Sequence, residues 1–237
     1  MLRAIKSMLR EAFFRRYYRS DFLKRLPHGA KVLDVGCGND SPRLFKEARS
    51  DIYYVGLDVG DYRHTRPPTE NADEFVVVAS DEFAAAIEKW RGRFDAVFSQ
   101  HNIEHCEEPD RVIKAMAACL KPGGTLFLAF PTEASVKFPS RQGTLNFYDD
   151  STHQQLPDFS RIIELLKSTS MYINFNARRY RPYKHAWRGL LNELESRKTK
   201  TVMRGTWALW GFESIIWASK SNNPDANFSA GQTSKPR

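Results

Sequence analysis

The sequence predicts an α/β protein built on a doubly wound, mostly parallel sheet with helices on both faces. Two patterns indicate this fold class. From residue 31 onward, short β-branched runs alternate with helical patterns, as in chains that form parallel sheets. The runs are also apolar throughout, which is typical of strands covered on both faces. A length of 237 residues fits one such domain with appendages, since single cores grow to about 250 residues before they split.

The first part of the chain supplies five of the expected strands and the helices between them. The strands are predicted at residues 32–35, 53–57, 75–79, 94–99 and 125–130, and the helices at 43–48, 82–90 and 109–120. The last of these helices has Pro109 near its start, and a Lys-Pro-Gly-Gly sequence at 121–124 is expected to stop it.

The second part of the chain is less regular. Residues 131–157 form a long polar connection, and loops of that length are usually functional or mobile. The elements expected after it are a helix at 160–166, strands at 171–180 and 212–219, and an inserted helix that contains Trp187, Leu190, Leu191 and Leu194. The predicted organisation is a basic amphipathic helix at 1–28, a domain at 29–220 with the insert at about 181–210, and a disordered tail at 221–237.

Charge is unevenly distributed along the chain. The net charge is +8 overall, with +6 in residues 1–25, −6 in residues 26–177 and +7 in residues 178–204. Both basic segments are therefore expected to contact anionic groups. No stretch approaches the roughly 20 apolar residues of a membrane span, and the basic N-terminus lacks the apolar core of a secretory signal, so we expect a cytoplasmic protein.

The three cysteines, Cys37, Cys106 and Cys119, are odd in number and share no Cys-x-x-Cys spacing. This pattern argues against a disulfide scaffold or a structural zinc site.

The most informative motif is a buried strand that runs into a glycine turn at Gly36 and Gly38. Such a turn lets the backbone approach a ligand at the strand ends. Ser41 stands where a dinucleotide motif would have its third glycine, and the carboxylates Asp34 and Asp40 flank the turn. Two carboxylates would repel a pyrophosphate, whereas S-adenosylmethionine carries an ammonium, a sulfonium and no phosphate. The charges therefore favour S-adenosylmethionine.

Two further acids extend this candidate site. Asp58 ends the second strand, where a carboxylate can accept hydrogen bonds from ribose hydroxyls. Asp81 follows the third strand and could accept from an adenine amino group. Both predict nucleoside binding.

Five motifs follow one another in order: Val-Leu-Asp-Val-Gly-Cys-Gly at 32–38, Gly-Leu-Asp at 56–58, Phe-Asp-Ala-Val at 94–97, Ile-Glu-His at 103–105 and Leu-Lys-Pro-Gly-Gly at 120–124. Over about residues 30–180 the chain thus resembles the class I S-adenosylmethionine-dependent methyltransferases. The resemblance implies a Rossmann-like, three-layer fold with seven strands, the last antiparallel, and S-adenosylhomocysteine as product. One departure is Asp40, where the family often has a third small residue. The cofactor contacts that the resemblance implies are Asp34, Gly36, Gly38, Asp58, Asp81 and Gln100.

A catalytic base is expected just after the fourth strand. Methyl transfer is an in-line displacement, and an oxygen or amine acceptor can need a base. His105 matches the base histidine of some small-molecule O-methyltransferases and is the first candidate, with His101 the second. Either ring could instead hold backbone through hydrogen bonds. His153 follows two acids, a pattern more typical of a helix N-terminus than of a metal site, so no metal is assigned.

The basic segments bear on the acceptor. The apolar face of residues 1–25 could lie on an anionic membrane or, the favoured alternative, pack over the cofactor pocket. Cations and aromatics interleave at 178–188, which predicts recognition of an anionic substrate. We therefore expect methyl transfer to oxygen of a small, or lipid- or sugar-linked, acceptor. RNA methylation is the less favoured alternative, and a non-catalytic partner that binds S-adenosylmethionine is another. The oligomeric state is left open.

Overall fold

The computed structural model describes residues 18–222, and a seven-stranded sheet lies at its centre. The strand order is β3-β2-β1-β4-β5-β7-β6, and β7 pairs antiparallel with both of its neighbours while the other pairs are parallel. The predicted sheet is thereby confirmed. In chain order the strands are β1 (Lys31–Val35), β2 (Tyr53–Asp58), β3 (Glu74–Val77), β4 (Phe94–Gln100), β5 (Leu120–Pro131), β6 (Met171–Ala177) and β7 (Glu213–Lys220).

Helices cover both faces of the sheet. The helices are α1 (Arg19–Lys24), α2 (Ser41–Ala48), α3 (Phe83–Glu88), α4 (Pro109–Cys119), α5 (Phe159–Ser168), α6 (Tyr183–Thr199) and α7 (Thr206–Trp210). Among the described residues, no helix combines the length and the apolar character that a bilayer span requires.

The core consists of two main apolar clusters, because neighbouring strand residues point to opposite faces. In β1, Val32 belongs to one cluster and Leu33 to the other. Phe22 of α1 packs in the first of these against Trp217, with ring centroids 5.5 Å apart. Of the amphipathic helix predicted at 1–28, the described part is therefore helical over α1 and packed on the sheet, while residues 1–17 lie outside the described residues.

Two strand boundaries differ from the predicted ones by more than two residues, the start of β5 and the end of β6. Helix α4 ends at Cys119, and the Lys-Pro-Gly-Gly sequence lies within β5. Leu120 already pairs with Phe94, and a bulge then brings Thr125 opposite Ala96. Strand β6 ends at Ala177, where a bend at 178–179 interrupts it, although the backbone N–H of Tyr180 still donates to the carbonyl oxygen of Glu213 at 2.7 Å. Of the predicted tail, only residues 221–222 are described.

The long connection after β5 is ordered by its own polar groups. Asp149 accepts hydrogen bonds from the backbone N–H groups of Arg141, Leu145 and Asn146, which explains an acid near His153 without a metal. The insert holds two helices instead of one. They cross closely, since a Cβ on Gly189 of α6 would lie only 2.1 Å from the carbonyl oxygen of Gly205.

Candidate cofactor and acceptor site

The glycine turn lies at the carboxyl ends of β1, β2 and β4, where open α/β sheets bind ligands. Gly36 has φ +78°, and a Cβ there would lie 2.6 Å from the Asn102 side chain. A Cβ on Gly38 would lie 3.2 Å from the carbonyl oxygen of Tyr62. The protein's own packing thus already requires both glycines, and their contact with the cofactor stays a prediction.

The loop at 59–66 is fastened to this turn. The backbone N–H of Asn39 donates to the carbonyl of Tyr62 at 2.9 Å. The backbone N–H and the hydroxyl of Thr65 donate to the Asp40 carboxylate at 2.6 and 2.8 Å. These bonds lower the pKa of Asp40. The acid that departs from the family's pattern therefore has a local role in holding the loop.

Asp58 lies beside the glycine turn at the end of β2. It is 7% exposed, and its Oδ1 accepts the backbone N–H of Val59 at 2.7 Å. Burial raises the pKa of Asp58, and backbone hydrogen bonds from Val59, Gly38 and Gly60 oppose that shift. An additional hydrogen-bond donor, such as a ribose hydroxyl, would stabilise the ionised form of this buried carboxylate.

A cavity of about 180 Å³ lies beyond the ends of β2, β3 and β4, and its lining includes Val59, the residue after Asp58. Its lining includes the predicted residues Asp81 and His105. Asp81, Glu107 and Glu108 are acidic, and the cavity's described lining contains no lysine or arginine. An adenine amino group or a sulfonium is compatible with this charge, whereas a phosphate would meet repulsion. The residues present thus fit S-adenosylmethionine.

Asp34 is buried on the face of β1 that packs against α2. The hydroxyl of Tyr54 donates to its Oδ2 at 2.6 Å, and the Ser41 hydroxyl donates to the same oxygen. Burial raises the pKa of Asp34 to about 6, although both hydroxyls lower it. Its cofactor contact stays a prediction, and the structure adds a role in joining β1, β2 and α2.

His101 is held between two carboxylates. Its Nδ1 lies 3.1 Å from Glu104 Oε1, and its Nε2 lies 3.0 Å from Glu213 Oε1. Burial alone would lower the pKa of His101, but the hydrogen bonds to both acids raise it to about 10. Gln100 also donates to Glu213, at 3.0 Å. At neutral pH His101 is therefore a cation without a free lone pair, which counts against the prediction that it acts as a base.

His105 differs from His101 because only one of its ring nitrogens, Nδ1, has a hydrogen-bond partner among the described residues. Its Nδ1 lies 3.2 Å from the carbonyl oxygen of Thr152, and Nδ1 of His153 lies 2.6 Å from the carbonyl oxygen of Phe147. Because a carbonyl only accepts, the neutral form of each ring carries its hydrogen on Nδ1 and its lone pair on Nε2. His105 can therefore take a proton through Nε2.

A group that could hold a cation surrounds His105. Potential ligand atoms of Glu104, His105 and His153 lie within 4.8 Å of one another. Glu104 Oε2 is buried and has no hydrogen-bond partner among residues 18–222. The sequence predicts no metal here, and that stays a prediction.

The sequence assigned no individual role to three residues of the site. Asn102 fills the space above Gly36, Glu104 positions His101, and Glu213 joins Gln100 to His101. The signal for Glu213 was an acid at the start of an apolar strand, since buried acids need a partner. Its partners lie more than one hundred residues earlier in the chain, so the sequence does not identify them.

Comparison with known proteins agrees with this geometry. A family model described as a methyltransferase domain matches residues 9–173. The ubiquinone biosynthesis O-methyltransferase of Xanthomonas axonopodis pv. citri (strain 306) is 36% identical over 121 residues, 44% of this chain and 44% of that protein. The 27-O-demethylrifamycin SV methyltransferase of Amycolatopsis mediterranei (strain S699) is 29% identical over 119 residues, 46% of this chain and 43% of its own length. The chain spans less than half the length of these relatives.

Solved structures share the fold. An S-adenosylmethionine-dependent methyltransferase from Mesorhizobium loti superposes with a TM-score of 0.59 at 15% identity, over 84% of this chain and 96% of that one. The cofactor predicted from the acidic turn is the cofactor of this family. The chain belongs to the class I S-adenosylmethionine-dependent methyltransferases.

Proposed function

We propose that this protein transfers the methyl group of S-adenosylmethionine to an oxygen atom of a small, or lipid- or sugar-linked, acceptor. One observation carries the proposal: His105, whose Nε2 has no hydrogen-bond partner among residues 18–222, borders a cavity lined by acids and by Val59, the residue after Asp58. The two relatives named above are O-methyltransferases by name, which supports oxygen as the methylated atom.

The cofactor residues divide the work by chemistry. S-adenosylmethionine supplies a methyl group on a positively charged sulfur. Asp58 would accept hydrogen bonds from the ribose hydroxyls, and Asp81 would accept from the adenine amino group. Gly36 and Gly38 keep side chains out of the turn, and Asp34 and Gln100 would provide further contacts to the cofactor.

His105 would act as the base. Its Nδ1–H donates to the carbonyl of Thr152, which fixes the ring orientation. Nε2 is then free to take the proton of an acceptor hydroxyl as the oxygen becomes a nucleophile. The Thr152 hydroxyl contacts the same Nδ1 at 3.0 Å and donates to Asp150. Two oxygens of Thr152 therefore hold this nitrogen in place.

A second, more open cavity of about 400 Å³ offers room for the acceptor. Glu213, which contacts His101, forms part of its wall together with Tyr18, His185 and Trp207. Aromatic rings beside a carboxylate suit a ring-containing or sugar-containing molecule that has hydroxyl groups.

The test is transfer of labelled methyl groups from S-adenosylmethionine to lysate fractions separated into lipid, small-molecule, RNA and protein pools. We expect label in the lipid or small-molecule pool as a methyl ether or ester, and much less with Asp58→Ala. Label confined to the RNA pool would establish the RNA alternative instead. No label in any pool, with cofactor binding intact, would establish a non-catalytic partner.

A further inference from the structure

Helix α6 is amphipathic, but its apolar side faces outward and its polar side packs on the domain. The face that packs on the domain carries the small or polar residues Gly189, Glu193 and Ser196. The outward residues are apolar: the exposed fractions are 72% for Tyr183, 55% for Trp187, 52% for Leu190, 68% for Leu191 and 82% for Leu194. Hereafter these five residues are called the α6 stripe.

The α6 stripe is continuous. Its members stand at positions i, i+4, i+7, i+8 and i+11, which share one side of a helix. The inward face is fixed by ionic bonds, since the Arg141 guanidinium donates to both oxygens of Glu193 at 2.8 and 3.0 Å and to the Ser196 hydroxyl at 2.7 Å. The helix is therefore held with its stripe outward, and a contiguous apolar surface of this kind marks an interaction site.

Basic side chains border the α6 stripe. Lys184 and Arg188 follow Tyr183 and Trp187 by one residue each, and Lys198 stands one turn beyond Leu194. Within residues 18–222 these three cations are in no ion pair, and all three are exposed. The surface thus combines aliphatic and aromatic groups with free positive charge.

The N-terminal segment enters the fold beside this helix. Tyr18, the first described residue, lies with its ring centroid 5.1 Å from that of His185 in α6. The sequence before it, residues 1–17, contains five lysines or arginines and one acid.

We propose that the α6 stripe docks on the surface of an anionic phospholipid bilayer. Leucines would enter the acyl boundary, Trp187 and Tyr183 would lie at headgroup level, and Lys184, Arg188 and Lys198 would contact phosphate. A second copy of the chain is a poorer occupant, because two basic rims would face each other. Residues 1–17 are a poorer occupant for the same reason of like charge.

Docking would also set the orientation of the acceptor cavity. His185 of α6 and Trp207 of α7, which packs on α6, are part of its wall. A bilayer at the α6 stripe would thus lie one helix away from the cavity, within reach of a lipid-linked acceptor. This last step rests on the proposed function, whereas the docking itself does not.

The test is co-sedimentation of the full chain with vesicles at physiological salt. We expect retention on vesicles of phosphatidylglycerol mixed with phosphatidylcholine and little on phosphatidylcholine alone. The triple variant Trp187→Ser, Leu191→Ser, Leu194→Ser should bind the anionic vesicles at least about tenfold more weakly. The double variant Lys184→Glu, Arg188→Glu should bind the anionic vesicles more weakly, and its remaining binding should depend less on salt than that of the wild type, because fewer charge contacts are left to screen.

Matched controls exist elsewhere on the surface. Tyr148 and Tyr172 are 74% and 53% exposed and lie outside α6, so Tyr148→Ser and Tyr172→Ser should bind vesicles like the wild type. Affinity for S-adenosylhomocysteine checks that every variant is folded, independently of any acceptor. Equal vesicle binding by wild type and triple variant would overturn the proposal, as would no binding by the wild type. A wild-type dimer without lipid that the triple variant converts to monomer would make the stripe a self-association surface instead.

Discussion

Two regions of the molecule differ in charge and in what holds them together. The acidic half, residues 26–177, contains β1 to β6 and carries a net charge of −6, and the acidic cavity lies at the ends of its strands β2 to β4. Beyond β6, residues 178–204 carry +7 and form α6 with its exposed apolar stripe. The family match ends at residue 173, before α6, α7 and β7.

This difference indicates where specificity resides. The turn, the strand-end acids and the Ile-Glu-His segment belong to the matched region, as expected for a shared cofactor. The insert lies outside it and walls the open cavity with His185 and Trp207. We infer that the acidic half sets the reaction and that the basic half selects the acceptor and its location.

The largest effect should come from His105, the proposed base in the wall of the acidic cavity. His105→Ala should lower turnover by about 10²- to 10⁴-fold, the usual contribution of a general base, and leave affinity for S-adenosylhomocysteine unchanged. The measurement is the rate of labelled methyl transfer to an identified acceptor, paired with calorimetry.

His153→Ala is the matched control, because His153 lies near His105, with ring centroids 4.8 Å apart. Its turnover should stay close to that of the wild type. Full activity in His105→Ala would make that residue structural. An equal loss in both variants would favour a shared cation site over a base.

The next largest effect tests how the basic half is anchored. Arg141 and Glu193 form a buried ion pair in which the hydrogen bonds from Arg141 help to lower the pKa of Glu193 to about 2. Arg141→Met removes the buried partner of that carboxylate and leaves it only the exposed Arg197 and the indole N–H of Trp210, so the free energy of unfolding should fall by about 3–5 kcal/mol.

Arg197→Met provides the comparison. Arg197 bonds to the same carboxylate at 2.8 Å, but its side chain is 64% exposed. The expected loss is below about 1 kcal/mol. Similar denaturation midpoints for the two variants would show that the insert does not depend on the buried pair.

A smaller effect should appear at Asp34, and it depends on pH. The folded pKa of about 6 lies above the unfolded value of 3.8, so ionisation costs the folded state free energy. The contribution of Asp34 to stability is greatest below the unfolded pKa and is lost as pH rises through 6. Asparagine does not titrate. The free energy of unfolding of Asp34→Asn, relative to that of the wild type, should therefore increase by at most about 3 kcal/mol between pH 3.8 and about pH 6.

Asp51→Asn should shift in the opposite direction. Hydrogen bonds from Arg49 lower the pKa of Asp51, so that acid stabilises the fold above its unfolded pKa and loses this effect as pH falls. Chemical denaturation from pH 7 down to below 3.8, the unfolded pKa of Asp51, would compare the two variants. A pH-independent difference at Asp34 would contradict the raised pKa, and weakened cofactor binding in Asp34→Asn would support its predicted contact.

Sequence reasoning predicted the sheet, because the signal for its strands is local. It also proposed Asp58, His105 and Gly36 from short windows at strand ends, and their roles in the site stay predictions. It missed Glu213, whose partners Gln100 and His101 become neighbours only when β7 pairs with β5.

The direction of α6 was also beyond reach from sequence. Leu190, Leu191 and Leu194 at helical spacing normally indicate a buried face, and here they are exposed. The buried face is determined instead by Arg141, which lies about fifty residues earlier and pairs with Glu193. Apolar periodicity therefore predicts the helix. It does not predict which side of the helix packs on the domain, because here an ion pair determines that side.

The most direct measurement for the account is calorimetry of S-adenosylhomocysteine against the wild type and Asp58→Ala, with NAD titrated in parallel. The wild type should bind the nucleoside and give no heat with NAD, and the variant should bind about 1–3 kcal/mol more weakly, as for the loss of a charged hydrogen-bond acceptor. Equal affinity in both proteins, or heat from NAD alone, would contradict the assignment of the acidic cleft.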